Sequence, residues 1–360
     1  MFQIRPHEYL KEGAVVDYYK YHDMPWVSKS RVYSWRKCKY GFKLEVVYEM
    51  EQKSIDGIME MLRDRGTNGH LIFSLFFKVV KDEDLIKHFM KMPLEINFKN
   101  SQLYYAFYDI CNQIMPQSLR GNKKMQMIVS NFAEYQTQYW LYLSQHFGTY
   151  RKIYNDYWMP CNVEEFLEWH GAKITEDGDL EYEGMWYGTL DALYKNPSYW
   201  LKKGGKYGKY KYILIDWKTG NAQATVKRNE GIPTDRLMEL HFYAWLVSKA
   251  DVRAGTETVM TLNGEVEMPI YEKVFPDVES YKDLMINMVF LGEDRPYYCD
   301  PRTPNKTTME NVFGEIKEMR DAWVAGGPFP RSESDWNCKM CPHGANCVDI
   351  QMRDYMEEDY

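Results

Sequence analysis

The sequence predicts an α/β (α+β) protein in which helices flank a mixed central sheet. Long amphipathic stretches with few strand signals occupy residues 82–148. Two segments rich in β-branched and aromatic residues follow at 181–194 and 210–218, and further helical patterns come after them. Apolar residues make up 45% of the chain and charged residues 27%, a balance that supports a packed core and excludes wholesale disorder. This order of elements is typical of a layered α/β or α+β core.

The order of the predicted elements divides the chain into four parts. The predicted elements are a helix from Trp26 to Lys53, a helix around His70, the helical residues 82–148, the two strands, a helix at 234–249, a strand pair around Asn263-Gly264 and a helix at 308–324. We therefore predict an N-terminal helical part (1–81), a helical insertion (82–148), a core (149–330) and a cysteine-rich segment with an acidic tail (331–360).

Composition limits the location and the partners. The 45 Lys and Arg against 52 Asp and Glu give a net charge of −7, which argues against a generic polycation that coats nucleic acid. The N-terminus is charged and lacks an apolar signal region, and the most apolar stretch, HLIFSLFFKVV, is too short for a membrane span. Seven cysteines, an odd number, suit a reducing compartment and a metal. We expect a cytoplasmic protein that does not contact membranes.

Two carboxylates and a lysine stand on the two predicted strands. In YILIDWKTG, side chains alternate between faces, so Asp216 and Lys218 point away from Ile215 and Trp217. The preceding strand, MWYGTLDALY, supplies Asp191. Carboxylates that converge from neighbouring strands can hold Mg²⁺ or Mn²⁺, which would neutralise charge on a phosphodiester and activate a water molecule. The plain alternative is an ordinary Asp–Lys ion pair, because D-x-K is a frequent chance pattern.

Two helical segments add polar candidates. His70 in GTNGH, at the predicted start of an apolar helix, can complete a metal site, although a helical histidine is often only a core or surface residue. In RLMELHFYAWLV, Glu239 and Tyr243 are four residues apart and share one face of a helix. The alternative for this second segment is an amphipathic helix with a solvated edge.

The ordered series of these motifs resembles the PD-(D/E)xK nucleases of the RecB type. Its pattern is most similar to their iron–sulfur members, which include AddB-type nucleases and the nucleases of CRISPR spacer acquisition. The resemblance implies a restriction-endonuclease-like core and a metal held by His70, Asp191, Asp216 and the backbone carbonyl of Trp217. It implies that Lys218 is the catalytic lysine and that Glu239 and Tyr243 bind DNA or position that lysine. Glu239 departs from the family's usual glutamine, whereas Tyr243 matches.

Three clustered cysteines, with the spacing C-x2-C-x5-C, indicate a second metal site. Cys338, Cys341 and Cys347 need a fourth ligand, and the candidates are Cys38, Cys111, Cys161, Cys299 and His343. On spacing alone, a structural Zn²⁺ with His343 is a serious alternative. SKSRVYSWRKCKYGFKL is similar to the first cysteine motif of the iron–sulfur nucleases, with Lys39 in place of the usual proline. The resemblance therefore implies a structural 4Fe–4S iron–sulfur cluster on Cys38, Cys338, Cys341 and Cys347. The remaining cysteines are expected to pack as small apolar residues.

A Lys-rich segment with interleaved aromatic residues connects the two strands, at 195–211. Lysines can follow phosphates and aromatic rings can stack on unpaired bases, so this segment is a candidate DNA-binding element. An equally weighted alternative is a solvated hairpin tip whose lysines protect a sheet edge. The candidate DNA-binding residues are Lys202, Lys203, Lys206, Lys209 and Tyr207.

The sequence thus predicts a metal-dependent DNA nuclease. An exonuclease or DNA end-processing enzyme that acts on single-stranded DNA or free ends, in recombination, repair or phage DNA metabolism, fits the resemblance. The setting would be a bacterial or phage-infected cell. No P-loop motif is present, so a separate helicase or recombination protein would supply unwinding. The main alternative is a non-catalytic nucleic-acid-binding protein whose degenerate nuclease fold is stabilised by an iron–sulfur cluster or zinc. A zinc-stabilised interaction protein with no nucleic-acid role is a third possibility.

Overall fold

The structure is a computed structural model, and it describes most of the chain. The described residues are 27–47, 57–93, 101–174, 180–182, 186–222, 231–261 and 264–332, together with Cys338, Cys341, His343 and Cys347. Within them, no helix combines the length and the hydropathy that crossing a bilayer requires.

The helices and strands that the sequence predicts occur in the predicted order, and the structure adds strands at 27–28, 162–169, 172–174, 284–290 and 297–298. The segment predicted as one strand at 181–194 contributes to two different sheets. The main helices are α1 (Lys29–Lys37), α2 (Gly57–Val80), α3 (Glu83–Met90), α4 (Gln102–Ile114), α5 (Lys123–Phe147), α6 (Thr234–Lys249) and α7 (Lys306–Ala325). The strands are β1 (Val27–Ser28), β2 (Asn162–Trp169), β3 (Ala172–Ile174), β4 (Leu180–Tyr182), β5 (Trp186–Lys195), β6 (Tyr212–Lys218), β7 (Asp251–Thr261), β8 (Gly264–Lys273), β9 (Leu284–Phe290) and β10 (Tyr297–Tyr298). Short helical turns occupy Lys39–Phe42, Lys43–Val47, Gln117–Leu119, Arg151–Ile153, Tyr154–Trp158, Pro197–Trp200 and Tyr281–Asp283.

Helix α1 ends at Cys38, so the single helix predicted from Trp26 to Lys53 is wrong. Cys38 adopts an extended conformation, with φ −164° and ψ 111°. Its thiol accepts the amide N–H of Gly41 at 3.3 Å, and the residue therefore caps the next helical turn. The outer parts of the predicted helix, Trp26 and the residues beyond Val47, lie outside the described residues.

Six of the described strands form one mixed sheet, which confirms the predicted mixed central sheet. Strand β6 is central: it pairs antiparallel with the end of β5 and parallel with β9 along its whole length. Strand β2 pairs antiparallel with one edge of β5, from Trp186 to Leu193. Strand β1 pairs parallel with Trp186 and Tyr187, and the sheet is therefore neither purely parallel nor purely antiparallel.

The edge of β5 that faces β6 divides into two paired parts. Because β2 occupies the other edge at both ends of β5, β1 and β6 must share this one. Strand β1 pairs only at 186–187, and β6 pairs only from Ala192 onwards. We call the segment between them, residues 188–191, the fork. Backbone groups there have no described ladder partner on this edge, so side chains can enter the sheet.

Helices cover both faces of the sheet, as predicted. One core combines α1, α6 and α7 with residues such as Leu214 and Ile286 of the strands. The other core combines α2–α5 with residues such as Ile215 and Trp217. The predicted alternation along β6 is confirmed, because successive side chains enter opposite cores. The helices predicted as an insertion thus form one layer against the sheet, and the division of the chain into domains stays a prediction.

Aromatic rings fill the core beside α2. Phe73 stacks on Phe132 with a centroid distance of 4.2 Å, and Phe77 stacks on Trp217 at 6.1 Å. The helix approaches the end of β6 closely, because a Cβ at Gly69 would lie only 2.6 Å from Cγ2 of Thr219. Glycine at 69 therefore permits the contact that places the next residue, His70, beside the sheet.

One helical prediction needs correction, one alternative is excluded, and one strand prediction is confirmed. Helix α2 starts at Gly57, so the GTNGH segment lies inside the helix and does not open it. Helix α6 is buried on all sides from Met238 to Ser248, so it has no solvated edge over those residues. The strand pair predicted around Asn263-Gly264 is the β7–β8 ribbon, whose turn residue Asn263 lies outside the described residues.

Candidate active site

Strand β6 presents the predicted carboxylate and lysine side by side. Asp216 is 4% exposed, which is rare for an unpaired carboxylate. The ammonium of Lys218 lies 2.9 Å from Oδ1 and 2.8 Å from Oδ2 of Asp216. Both side chains belong to the face of the central strand that lies toward α6, as the alternation predicted. The pair is therefore a buried, charge-assisted contact at the end of the sheet.

Asp191 is the last residue of the fork, directly before the part of β5 that pairs with β6. Its Oδ2 accepts the backbone N–H of Trp217 at 2.6 Å. In a continuous ladder this amide would bond to the β5 backbone, but β5–β6 pairing stops at Ala192 and Ile215. A buried N–H needs a partner, and the Asp191 carboxylate supplies it. This bond fixes Asp191 next to Asp216 and leaves Oδ1 directed elsewhere.

Glu164 belongs to the site, although the sequence analysis did not single it out. The β2–β5 register places it opposite Asp191, yet this pair is missing from an otherwise regular ladder. Glu164 has a φ of 48°, a left-handed conformation that is uncommon for a residue with a side chain. Such strain often marks functional positions. The strained residue here is Glu164 itself, whose carboxylate contacts His70.

His70 of α2 meets both of these carboxylates. Its Nδ1 lies 2.6 Å from Oε1 of Glu164 and 3.6 Å from Oδ1 of Asp191. One ligand atom from each of these three side chains lies within 4.8 Å of the others. The structure therefore brings His70 and Asp191 together, as predicted, and adds Glu164 as a third donor.

The charges of the site shift the pKa values of its members. Desolvation alone would lower the pKa of His70, but Asp191 and the hydrogen bond that His70 donates to Glu164 raise it to about 9. Burial raises the pKa of Asp191 to about 7 despite His70, and the nearby Asp216 and Glu164 add to the rise. Burial would also raise the pKa of Asp216, but Lys218 and then Lys29 hold it below its usual value. One carboxylate therefore protonates far more readily than its neighbour.

Helix α6 places Glu239 and Tyr243 against the same site. Oε2 of Glu239 lies 3.9 Å from the Lys218 ammonium, and Oε1 accepts a hydrogen bond from Arg236 at 2.6 Å. Tyr243 packs into the fork, where a Cβ at Gly188 would lie 2.9 Å from its ring. The predicted shared face of Glu239 and Tyr243 is thus directed at Lys218 and the fork. Arg236 was not predicted, and its spacing of three residues from Glu239 on one helix was the available signal.

The donor set suits a hard divalent cation. Carboxylate oxygens of Glu164 and Asp191 with a histidine nitrogen are ligands that Mn²⁺ accepts, and Mg²⁺ prefers the oxygens. Asp216 is held by Lys218 and is not part of the group within 4.8 Å. The role of Asp216 as a ligand, and that of the Trp217 carbonyl, stay predictions. A cation here would lie beside a lysine and an ionised carboxylate, an arrangement that can promote hydrolysis of a phosphate ester.

The predicted cysteines lie around the junction of α1 with the C-terminal segment. A Cβ at Gly41 would lie 3.7 Å from Sγ of Cys38 and 3.9 Å from Sγ of Cys341. The guanidinium of Arg331 donates to Sγ of Cys347 at 2.8 Å, and Cys338 contributes to its electrostatic environment. Burial raises the pKa of Cys341, and the neighbouring Cys38 and Cys347 add to this effect. All four cysteines therefore share one neighbourhood.

The alternative fourth ligands differ in position. His343 is 2% exposed, and neither ring nitrogen has a hydrogen-bond partner among the described residues, so it remains available as a zinc ligand. Cys111 and Cys299 are buried in the two cores, as expected of small apolar residues. Cys161 is exposed and its thiol donates to the Leu193 carbonyl, so the expectation that it packs in a core is wrong.

The Lys-rich segment between β5 and β6 is an exposed loop that is anchored at its base. Asn196 donates to the carbonyls of Tyr207 and Tyr210, both at 2.8 Å. The ammonium of Lys206 lies 5.0 Å from the centroid of the Tyr207 ring. Four of the predicted DNA-binding residues, Lys202, Lys203, Lys206 and Lys209, are exposed and Tyr207 is half-buried. The loop can present cations to a ligand, and its DNA contacts stay a prediction.

Comparison with known families finds a match for part of the chain. Residues 203–348 match the PD-(D/E)XK nuclease superfamily. The matched range includes Asp216, Lys218, Glu239 and Tyr243, and similarity to this superfamily indicates a metal-dependent nuclease that hydrolyses phosphodiester bonds. Comparison with curated proteins found no match. The matched range does not include His70, Glu164 or Asp191, which only the geometry joins to the domain.

Proposed function

We propose that the protein is a Mg²⁺- or Mn²⁺-dependent DNA nuclease whose active site comprises His70, Glu164, Asp191, Asp216 and Lys218. One observation carries the proposal most directly: a group of three metal donors lies beside a buried Asp–Lys pair on the central strand of a sheet. A purely structural ion pair would not require a strained glutamate and a histidine at the same point. The superfamily match at 203–348 supports the same chemistry.

Each residue has a distinct part in the proposed reaction. His70, Glu164 and Asp191 would hold the cation, with Asp216 as a further ligand when Lys218 moves to the substrate. The bound cation would lower the pKa of a water molecule and neutralise charge on the phosphate. Lys218 orients that water or donates to a phosphate oxygen, while Glu239 and Tyr243 fix the position of its ammonium. Trp217 holds Asp191 through its amide and is the proposed source of a carbonyl ligand.

Asp216 and Lys218 also discriminate this function from its main alternative. A non-catalytic binding protein would bind DNA but would not need a lysine paired with the buried Asp216 at this point. We expect release of nucleotides from linear DNA with Mg²⁺ or Mn²⁺, and loss of this release in Lys218→Met and Asp216→Asn. Wild-type protein that binds DNA but does not cut it with either metal would favour the degenerate-fold alternative. End-labelled single- and double-stranded substrates in the same assay would report strand preference, polarity and any need for free ends.

We also propose a 4Fe–4S cluster on Cys38, Cys338, Cys341 and Cys347. The shared neighbourhood of the four thiols and the hydrogen bonds that Arg331 and Gly41 donate to them support it. Backbone and guanidinium donors are common around thiolate ligands because they stabilise negative sulfur. Zinc on three cysteines and His343 is the alternative, which the two unpartnered ring nitrogens favour. Iron, zinc and sulfide analysis of anaerobically purified protein distinguishes the two.

The biological setting follows as a proposal from the same site. We place the enzyme in DNA end processing during recombination, repair or phage DNA metabolism, in the cytoplasm of a bacterial or phage-infected cell. Because no P-loop motif is present, a separate helicase or recombination protein would supply unwound DNA. The exposed lysines at 202, 203, 206 and 209 would hold the strand next to the cleavage site.

A further inference from the structure

Lys29 enters the candidate active site from a distant part of the chain. It follows β1 directly and is the first residue of α1, so it emerges at the fork. It lies outside the residues that match the nuclease superfamily, and no motif in the sequence identifies it. Its place in the site depends on the pairing of β1 with the start of β5, which fixes the chain at Ser28.

Two lysines flank one carboxylate oxygen at this point. The ammonium of Lys29 and that of Lys218 each lie 3.9 Å from Oε2 of Glu239. The Lys29 ammonium also lies 5.0 Å from the centroid of the Tyr243 ring. The two ammonium groups therefore share one carboxylate oxygen of Glu239, and both interact electrostatically with Asp216.

The other cations of the site contact carboxylates more closely than Lys29 does, and a side-chain hydrogen bond joins Lys29 to Tyr243. Lys218 contacts Asp216 at 2.8 Å, and Arg236 contacts Glu239 at 2.6 Å. At 3.9 Å, Lys29 is too far from Glu239 for a hydrogen bond, so its interaction with that carboxylate is only electrostatic. The Lys29 side chain is 26% exposed against 6% for Glu239, so it is only partly buried between the site and the surface.

Lys29 remains charged in this environment. Burial would lower its pKa, but Tyr243, Asp216, Glu239 and Asp191 together raise it above its usual value. A neutral amide at position 239 would remove one of these counter-charges and increase the repulsion between the two lysines. Glu239 therefore allows two ammonium groups to stand close together without a bound anion. An incoming phosphodiester can then bind Lys29, whose described carboxylate contact, with Glu239, is as long as 3.9 Å.

We propose that Lys29 is a substrate-binding lysine that donates to a non-bridging oxygen of the DNA backbone beside Lys218. The inference rests on the proposed nuclease function and extends it to a residue of the N-terminal helix. The substrate class is a polynucleotide with a negatively charged phosphodiester at this position. Lys29 binds the DNA backbone, while Lys218 orients the attacking water or donates to the phosphate that is cleaved.

The test compares Lys29→Met and Lys29→Arg with wild type and with Lys39→Met. Lys39 is a suitable control because it begins the next helical turn, is 30% exposed and pairs with the carboxylate of Glu318 on α7. We expect Lys29→Met to lower kcat/KM on a linear oligodeoxynucleotide by about tenfold to a hundredfold, the usual loss of a hydrogen bond to a charged group. Lys29→Arg should recover part of the activity, and Lys39→Met should resemble wild type.

Uncharged linkages separate substrate contact from structural support. A methylphosphonate at the linkage that Lys29 binds should weaken cleavage by wild type and cause no further loss in Lys29→Met. The same oligonucleotides bound in Ca²⁺, without cleavage, should show the same pattern in affinity. The inference is wrong if methylphosphonate substitution slows Lys29→Met as strongly as wild type at every linkage. It is also wrong if Lys29→Met cleaves unmodified DNA at the wild-type rate. If wild-type protein cleaves none of the oligonucleotides, the proposed function is wrong instead. The affinities measured in Ca²⁺ then still show whether Lys29 binds the DNA backbone.

Discussion

The two candidate metal-binding regions are built in different ways. The carboxylate site draws Glu164, Asp191, Asp216 and Lys218 from three paired strands, and the ladder holds them in place. The cysteine region joins the turn after α1 to the C-terminal segment. There the backbone N–H of Tyr40 donates to the Pro330 carbonyl at 3.2 Å. Sheet pairing can maintain the first region without a metal. Ligands that join distant parts of a chain, by contrast, contribute to folding itself.

This contrast predicts that metal removal affects activity in one region and stability in the other. One ion pair between α1 and α7 assists the cysteine region, because Arg36 binds Glu315 through Nε at 2.9 Å and Nη2 at 2.6 Å. This pair is partly exposed, so it contributes only about 0–1 kcal/mol. It cannot replace metal–thiolate bonds if the four cysteines hold a metal or a cluster.

The largest effect should come from removing the lysine on the central strand. Lys218→Met should reduce the rate of DNA cleavage by about a hundredfold or more, because a positioned proton-transfer or phosphate-binding group is lost. Single-turnover assays in Mg²⁺ and Mn²⁺ measure this rate. The far-ultraviolet circular dichroism spectrum should remain that of wild type, and Lys87→Met, which removes an exposed lysine paired with Asp84, serves as the control. Equal rates for the two variants would contradict the assignment of Lys218.

The next effect should separate the cysteine region from the carboxylate site. Cys38→Ser should lower the bound iron or zinc and shift the urea midpoint of unfolding downward, because the link between α1 and the C-terminal segment is lost. Cys161→Ser is the matched control, since Cys161 is exposed and lies on neither side of this link. Wild-type metal content and midpoint in Cys38→Ser would remove Cys38 from the ligand set. Metal content and unfolding curves for both variants decide the question.

A smaller effect is expected at the strained residue of β2. Glu164→Gln should weaken Mn²⁺ binding by about tenfold to a hundredfold, whether Glu164 is a ligand or orients His70. Isothermal titration calorimetry measures the affinity directly. Glu165→Gln is the control, because the neighbouring side chain is exposed and is bonded to Asn162 at 2.8 Å. If both variants bind Mn²⁺ like wild type, Glu164 does not belong to the metal site.

The smallest effect concerns pH in the metal-free protein. The folded pKa of His70 is raised from 6.5 to about 9, so its stabilising contribution is full below pH 6.5 and is lost as pH rises through about 9. The pKa of Asp191, raised from 3.8 to about 7, acts in the same direction at lower pH. The free energy of unfolding should therefore fall between pH 7 and pH 9, and less steeply in His70→Gln. Urea titrations with and without Mn²⁺ test this, since the bound metal should remove the decline.

Several features of this protein were determined by the sequence itself. Alternation along YILIDWKTG correctly separated Asp216 and Lys218 from the apolar face of β6. Helical periodicity located α6 at 234–249, the residues that the structure assigns to it. These predictions succeeded because they depend on local backbone geometry, which repeats every two residues in a strand and every 3.6 in a helix.

Other features were decided only by the tertiary structure. No spacing relates Lys29 to Glu239, or Glu164 to His70, because these contacts depend on how β1 and β2 pair with β5. The break at Cys38 was also missed, since its extended backbone is fixed by the Gly41 amide and the packing around the thiols. Local sequence pattern specifies which face a residue occupies. Which distant residue meets it there depends on strand register and helix packing, whose energy comes from the whole core.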